Sequence, residues 1–274
     1  MQIPSLTREL PLAALILVPW SSGDDACETT SRAARNACRE AASSELWLRL
    51  GACANLGDPR EVLECRLEAF EDFESAQEEC QEQFVARAQV CRALGGGPYD
   101  PEIDPGDFVS GVTNRFFRLL PNTTKIFEKL TREGLERIEV TVLEERKEIL
   151  GVSCTVVRDA VTLDGELVDI GGSWKAGVDD AKPGVVMLAD PEVGDAYRQE
   201  FLLGEAEDVA LVVEVDAAAS VVYGSFTGCL VTEDFTPLEP GTRELKTYAP
   251  GLGVVLEVDP ETGERLELVD VLVH

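Results

Sequence analysis

The strongest constraint on the fold is the spacing of six cysteines in the first third of the chain, at positions 27, 38, 53, 65, 80 and 91. These six positions are symmetric about Pro59. Residues that face each other in an antiparallel pair of helices have a constant index sum, and the nested cysteine pairs meet that condition. The symmetry therefore predicts three nested disulfides, which are Cys27–Cys91, Cys38–Cys80 and Cys53–Cys65.

The segment that carries these cysteines has the pattern of two helices. Cysteines on each arm are 11 or 15 residues apart, which is close to three or four helical turns, so they fall on one stripe. At the midpoint, Gly57 is expected to end the first helix in the left-handed conformation, Asp58 to cap the second, and Pro59 to be its first residue. A metal site is the alternative, but cysteines three or four turns apart cannot converge on one ion. We predict a disulfide-bonded antiparallel helical hairpin over residues 27–94.

Cysteine usage and the N-terminus both indicate an oxidising compartment. None of the eight cysteines forms a C-x-x-C pair, which favours structural disulfides over zinc or redox motifs. The apolar run PLAALILVPW at residues 11–20 is too short to span a bilayer and resembles an export signal, although Glu9 weakens its positive region. We predict an export segment over residues 1–26 and a secreted, periplasmic or cell-surface location. A retained N-terminal helix is the alternative.

The chain is strongly acidic, with 52 aspartates and glutamates against 24 lysines and arginines and a formal net charge of −28. Such a field repels nucleic acid and anionic lipid, so neither is expected as a partner. No transmembrane segment is expected either, because no stretch is apolar over the length that a bilayer requires.

The stretch LGGGPYDPEIDPGD at residues 94–107 ends the hairpin. Its glycines stop the helix and its prolines keep the following chain extended, so we predict a linker over residues 95–107. Four acidic side chains in it form a candidate calcium site, although they lack the EF-hand spacing. A solvated linker is the alternative. The candidate ligands are Asp100, Glu102, Asp104 and Asp107.

From residue 108 to residue 274, apolar and polar residues alternate along the chain with a period of two. Examples are RIEVTVLEE (137–145), ALVVEVDAA (210–218) and RLELVDVLV (265–273), and turn signals such as Asp164-Gly165 and Pro250-Gly251 separate the segments. The pattern predicts seven to nine antiparallel strands in a barrel, half-barrel or sandwich, and an α+β fold for the whole chain. The two remaining cysteines, Cys154 and Cys229, are expected to form a fourth disulfide.

Several stretches resemble a known group of proteins: DFVSGVTNRFFRLLPNTT, RIEVTVLEERKEILGVSCTVVRD, YGSFTGCLVTEDFTPLEPG and YAPGLGVVLEV. They are similar to a family of secreted bacterial proteins with no assigned activity, and the resemblance covers most of residues 27–258. It implies a cysteine-bearing helical segment ahead of a β domain, and an extracytoplasmic location, but no site. One departure is that the family has an aromatic-rich set of strands between segments like DGELVD and GSWKAG, which this chain lacks.

Few residues suggest chemistry, and we assign no catalytic residue. The single histidine is His274 at the end of the chain, which removes Ser-His and Cys-His catalysis within one chain. Aromatic side chains of the β domain are candidates for binding an apolar or glycan ligand at the mouth of a half-barrel, with core packing as the alternative. They are Trp174, Tyr197, Tyr223 and Tyr248.

These patterns favour a non-catalytic extracytoplasmic binding or structural protein. The helical hairpin would serve as an arm for contact with another protein or for homo-oligomer formation, and the β domain would hold any ligand. The rival hypothesis is a secreted hydrolase that uses two carboxylates, with calcium as its candidate cofactor. Acidic turns such as LGEAEDVA, with Glu205, Glu207 and Asp208, supply carboxylates for that hypothesis. Solvated turns are the alternative.

Overall fold

The structure is a computed structural model that describes residues 25–172 and 174–274. The predicted export segment therefore lies outside the described residues, apart from Asp25 and Ala26. Within the described ranges, no helix combines the length and the apolarity needed to cross a membrane.

Two long helices form the predicted hairpin, α1 (Ala26–Cys53) and α2 (Pro59–Leu94). Asp58 caps α2 as expected, because its carboxylate accepts a hydrogen bond of 2.7 Å from the backbone N–H of Arg60, and Pro59 is the first helical residue. The expectation for Gly57 is wrong. Helix α1 ends four residues earlier, at Cys53, and Ala54 closes it in the right-handed conformation, so the turn needs no left-handed glycine.

Three disulfides join α1 to α2 as predicted, namely Cys27–Cys91, Cys38–Cys80 and Cys53–Cys65. Their Cα–Cα distances are 5.7, 5.8 and 5.7 Å, which is the usual separation for a bridged pair. The equal distances show that the helices stay at one spacing along the hairpin. Small buried residues such as Ala34 and Ala69 keep the helices that close.

Within the described part of the chain, a short 3₁₀ helix (Pro105–Asp107) and then twelve strands follow the hairpin. In chain order the strands are β1 (Val112–Thr113), β2 (Arg118–Leu119), β3 (Thr123–Leu130), β4 (Leu135–Ile149), β5 (Val152–Leu163), β6 (Glu166–Ile170), β7 (Ala196–Arg198), β8 (Val209–Val221), β9 (Gly224–Phe235), β10 (Glu244–Ala249), β11 (Gly253–Val258) and β12 (Arg265–Val273).

Ten of these strands form one antiparallel sheet in the order β6-β5-β4-β3-β12-β11-β10-β9-β8-β7, while β1 and β2 pair separately. The sheet is a meander of sequential neighbours except where β12 returns to lie between β3 and β11. The fold is therefore α+β, with the helical hairpin first and the antiparallel sheet second.

The sheet is curled but open. The backbone N–H of Tyr223, in the turn between β8 and β9, donates a 3.0 Å hydrogen bond to the carbonyl of Leu268 on β12. Because β10 and β11 stand between β9 and β12 in the strand order, only a curled sheet brings these two atoms together. The edge strands β6 and β7 do not pair with each other, so the shape is a half-barrel.

Buried apolar side chains of the sheet form two clusters. The first cluster includes Phe127, Leu268, Val255 and Cys229. The second cluster, on the β7–β10 side, comprises Phe116, Tyr197, Ala210, Val212, Leu230 and Tyr248.

The expected fourth disulfide is wrong, because Cys154 and Cys229 are both free thiols. Cys154 lies on β5 and Cys229 on β9, and five strands stand between these two in the sheet. Cys229 is fully buried, whereas Cys154 is half-buried near the β4–β5 turn, opposite Lys147.

The helical hairpin packs beside the β7 end of the sheet. The side-chain amide of Gln83 on α2 donates a 3.0 Å hydrogen bond to the carbonyl of Leu238, in the loop after β9. The hydroxyl of Tyr99, just past the end of α2, donates to the carbonyl of Pro183 at 2.8 Å. A buried ion pair between Arg87 of α2 and Glu207, in the turn before β8, completes the junction.

Candidate functional site at the mouth of the half-barrel

Polar residues occupy one face of three neighbouring strands. Lys246 of β10 lies directly beside Thr232 of β9 and Glu257 of β11. One step along the same face, Glu244 lies beside Asp234. Side chains alternate along a strand, so all five residues share one face of the sheet.

The next position on the same face of β10 is Tyr248, which is 2% exposed and belongs to the second apolar cluster. The polar group therefore sits above the core, at one end of the curled strands. We call this region the mouth of the half-barrel.

The mouth encloses a cavity of about 340 Å³. Residues from both sides of the curl border it, including Lys129 and Glu136 from β3 and β4 and Asp208 from the start of the β8 side. The remaining lining residues include Ile138, Gln199, Asp234, Thr236, Thr242, Arg243, Glu244, Lys246, Glu257 and Leu266.

Lys246 is the centre of the ionic contacts. Its ammonium Nζ lies 3.3 Å from Oδ2 of Asp234 and 3.2 Å from Oε2 of Glu244. Burial acts to lower the pKa of Lys246, but the charges of Glu257, Asp234 and Glu244 outweigh it and raise the pKa overall. The ammonium therefore stays protonated.

Asp234 is held in place from three directions. It is 6% exposed, and Oδ1 accepts a 2.6 Å hydrogen bond from the hydroxyl of Thr232. Oδ2 accepts from the side-chain amide of Gln199 at 3.1 Å and also faces Lys246. Such charge-assisted bonds fix the position of a carboxylate at a site.

Glu257 has a different environment from Asp234. Burial raises the pKa of Glu257 to about 7, against the attraction of Lys246 and with added repulsion from Glu244 and Asp234. Burial also raises the pKa of Asp208. The mouth thus holds a carboxyl group that exchanges its proton near neutral pH.

The cavity has an excess of negative charge. Seven carboxyl groups border it against three cationic groups. The carboxyl groups are Glu136, Asp208, Asp234, Glu244, Glu257, Asp259 and Glu264, and the cations are Lys129, Arg243 and Lys246. This balance disfavours anionic ligands.

The four aromatic residues named from the sequence do not form one site. Tyr197 and Tyr248 meet in the second core cluster, and neither lines the mouth cavity. The indole N–H of Trp174 donates to the carboxylate of Glu200. Tyr223 is 45% exposed on the β8–β9 turn.

Two of the four acidic residues predicted as calcium ligands in the segment 95–107 have partners within the protein. Asp100 accepts a 2.6 Å hydrogen bond from the ammonium of Lys182, and Asp104 accepts one of 2.8 Å from the backbone N–H of Gly106. Among residues 25–172 and 174–274, no group of three or more histidine, cysteine, aspartate or glutamate side chains has metal-binding geometry. The calcium site stays a prediction.

Sequence reasoning missed Lys246, Asp234 and Glu257, although one signal was available. In the stretch ELKTY, Glu244 and Lys246 alternate with the same period as Tyr248, which places charged side chains on the face that buries the tyrosine. Charged residues on the core-facing side of a strand indicate a polar site or an ion pair inside the sheet.

Comparison with known proteins gives little further identification. No protein-family model matches the chain, and no curated protein matches it. A crystal structure of a "putative lipoprotein" from Parabacteroides distasonis ATCC 8503 aligns with 59% of this chain and 100% of its own, with a TM-score of 0.33 and 11% identity.

Proposed function

We propose that this protein is an extracytoplasmic, non-catalytic binding protein, and that the mouth of the half-barrel binds a small neutral or amine-bearing glycan. The observation that carries the proposal is the mouth cavity, where the ammonium of Lys246 lies beside fixed carboxylates above an apolar core. Three disulfides support the location, since such bonds persist in oxidising compartments.

The chemistry of the lining favours a ligand rich in hydroxyl groups. A hydroxyl donates and accepts hydrogen bonds at once, and the cavity offers carboxylate acceptors beside ammonium, guanidinium and amide donors. A volume of about 340 Å³ is at the lower end for ligand pockets and suits one or two sugar rings. The excess of carboxylates favours neutral or amine-bearing sugars over acidic ones.

An array of neutral, amine-bearing and acidic oligosaccharides, probed with the full chain, tests the proposal. We expect binding to neutral or amine-bearing sugars and loss of that binding in Lys246→Met. Lys182→Met is the matched control, because Lys182 makes its ion pair with the exposed Asp100 outside the cavity. Binding that survives Lys246→Met, or a preference for acidic sugars, would contradict the proposal.

The pKa of Glu257, raised to about 7, favours carboxylate-dependent glycoside hydrolysis as a second candidate function. A carboxyl that keeps its proton near neutral pH can act as the acid, while Asp234 beside Lys246 is the candidate carboxylate partner. Purified protein that releases no product from aryl glycosides between pH 5 and 8 would remove this candidate. Activity that disappears in Glu257→Gln would support it.

We propose that the helical hairpin is the interaction arm, and that it forms homo-oligomers through α2. Leu63, Leu67 and Phe70 are 60%, 55% and 48% exposed. Their spacing places them on one face of α2. The mass in solution tests the assignment. We expect a dimer or larger species that Leu63→Glu and Leu67→Glu together reduce to a monomer, and a monomeric wild type would contradict it.

The domain organisation follows the same division of roles. We propose that the hairpin (27–94) and the β domain (108–274) are separate units, with 95–107 as the linker between them. Limited proteolysis should then cut first within 95–107. A first cut inside the hairpin or the sheet would contradict the proposed boundaries.

A further inference from the structure

A second cavity lies where the helical hairpin meets the sheet, and two buried arginines line it. Its volume is about 180 Å³, and it shares no lining residue with the mouth cavity. Arg87 of α2 is 4% exposed and Arg198 at the end of β7 is 9% exposed. Glu207, which is 2% exposed, is the one carboxylate that lines the cavity among the residues the structure describes.

Glu207 is committed to Arg87. Its Oε1 lies 2.7 Å from Nη2 of Arg87 and its Oε2 lies 2.9 Å from Nε, so the contact is bidentate. The backbone N–H of Gly204 donates a further bond of 2.8 Å to Oε1. The charge of Arg87 is therefore balanced within the protein.

Arg198 has no such partner. Its guanidinium lies 4.4 Å from the ring centre of Phe201 and 5.5 Å from that of Tyr99, but it has no carboxylate within salt-bridge distance among the described residues. Nη1 of Arg198 and Nη1 of Arg87 are both buried, and neither has a hydrogen-bond partner in the described part of the chain. Buried polar groups nearly always have a partner, and an unpaired buried charge is strongly destabilising.

The other polar groups around the cavity are already engaged. The hydroxyls of Thr30, Ser31 and Tyr99 donate to backbone carbonyls at 2.8–2.9 Å. Among the described residues, the buried side-chain donors of the cavity that lack a partner are therefore those of the two arginines. Two guanidinium groups and one carboxylate leave one net positive charge, in a protein whose formal net charge is −28.

We propose that this cavity binds a small monocarboxylate with a short apolar chain. The planar guanidinium of Arg198 matches a carboxylate in geometry, and one negative charge balances the one positive charge in excess. A doubly charged phosphate would replace the one positive charge in excess by one buried negative charge. The apolar chain would contact Val90, Leu203 and Phe201, which also line the cavity.

Calorimetric titration of the full chain with sodium butyrate, in a buffer free of phosphate, tests this inference. Butyramide is the neutral probe of the same shape, and inorganic phosphate is the competing oxyanion. We expect saturable binding of butyrate at micromolar to millimolar concentration, no binding of butyramide, and weaker binding of phosphate. The melting temperature should rise with butyrate and not with butyramide.

Arg198→Met should abolish butyrate binding and leave the melting temperature of the free protein unchanged or higher, because it removes an unpaired buried charge. Arg198→Lys keeps the charge but loses the fork of donors, so it should bind butyrate roughly 10- to 100-fold more weakly. Arg35→Met is the matched control. Arg35 also stacks on a ring, that of Phe84 at 4.3 Å, and has a buried unpaired nitrogen, but it does not line the cavity.

Three results would overturn the inference. The first is a titration in which butyrate and butyramide behave alike. The second is butyrate binding that Arg198→Lys and Arg198→Met both leave intact, or that Arg35→Met removes to the same degree. The third is phosphate binding as tight as that of butyrate, which would show a general oxyanion site instead of a carboxylate site.

Discussion

The three disulfides of the helical hairpin should differ in their contribution to stability, and their nesting sets the order. The sequence separations of the bridged pairs are 64, 42 and 12 residues from the outer to the inner bridge. If each bridge closed its own loop, the chain-entropy relation would assign contributions of about 4.3, 3.9 and 2.8 kcal/mol. The bridges are not independent, however, because each one lies inside the next.

In the unfolded but oxidised chain the nested bridges divide the hairpin into three rings. The outer ring has about 22 residues, the middle ring about 30 and the inner loop 12, from the spacing of the cysteines. Removing the outer bridge opens only the outer ring. Removing either of the other two merges neighbouring rings, and part of the constraint survives. The expected losses become about 3.4, 2.9 and 2.5 kcal/mol for the outer, middle and inner bridges.

Paired alanine substitutions test the order, because the packing around the bridges is matched. In each bridge one cysteine is buried and the other is half-buried, so the substitutions remove similar contacts. Urea unfolding of the hairpin, followed by helical circular dichroism, measures the loss of unfolding free energy. At a slope of roughly 1–3 kcal/mol per molar urea, each loss moves the midpoint by about 1–3 M.

With the bridges nested in this way, the losses should fall from the outer bridge to the inner one. An inner pair whose removal destabilises more than the outer pair would refute it. So would a variant without all three bridges that loses under about 2 kcal/mol, since the rings together predict about 10 kcal/mol.

Three further predictions concern buried titratable groups. Glu257 has its pKa raised from 4.5 to about 7, so it binds its proton more tightly in the folded protein than in the unfolded chain. The free energy of unfolding should therefore fall as the pH rises from 4.5 to 7. The midpoint of urea unfolding should fall less over that range in Glu257→Gln. Burial lowers the pKa of Lys125 from 10.5 to about 8. The free energy of unfolding should therefore rise between pH 8 and 10.5, and Lys125→Met should remove that rise. A thiol assay of the urea-unfolded protein, without reductant, should detect two thiols. In the native protein the half-buried Cys154 should react before the buried Cys229. No thiols in urea would show a fourth disulfide.

The hairpin was predictable because its information is local and symmetric. The six cysteine positions fix the register of two antiparallel helices about Pro59, and Asp58 and Pro59 mark where the second helix starts. Strands were also predictable as elements, and β12 coincides with the alternating stretch at 265–273. Each of these features depends on spacing along the chain alone.

Strand order could not be read from the same patterns. The alternation of apolar and polar residues in a strand predicts which side chains share the buried face, but not which strand lies beside it. Five strands stand between β5 and β9 in the sheet, including β12, which returns to lie between β3 and β11, and this separation leaves Cys154 and Cys229 unbonded. The two cysteines were paired only because they remained after the other six.

At the junction between hairpin and sheet, the sequence indicates only one of the two partners of the buried ion pair. Arg87 continues the spacing of Cys80 and Cys91 on the buried stripe of α2, so a charge at that position indicates a buried partner. Glu207 is that partner, 120 residues away. No feature of the neighbouring sequence distinguishes it from the other carboxylates of a chain with 52 acidic residues. Only the fold selects it, because the turn before β8 reaches α2 there. Arg198, at the end of β7, lines the cavity at the same junction, so the fold pairs one buried arginine and leaves the other without a carboxylate partner among the described residues.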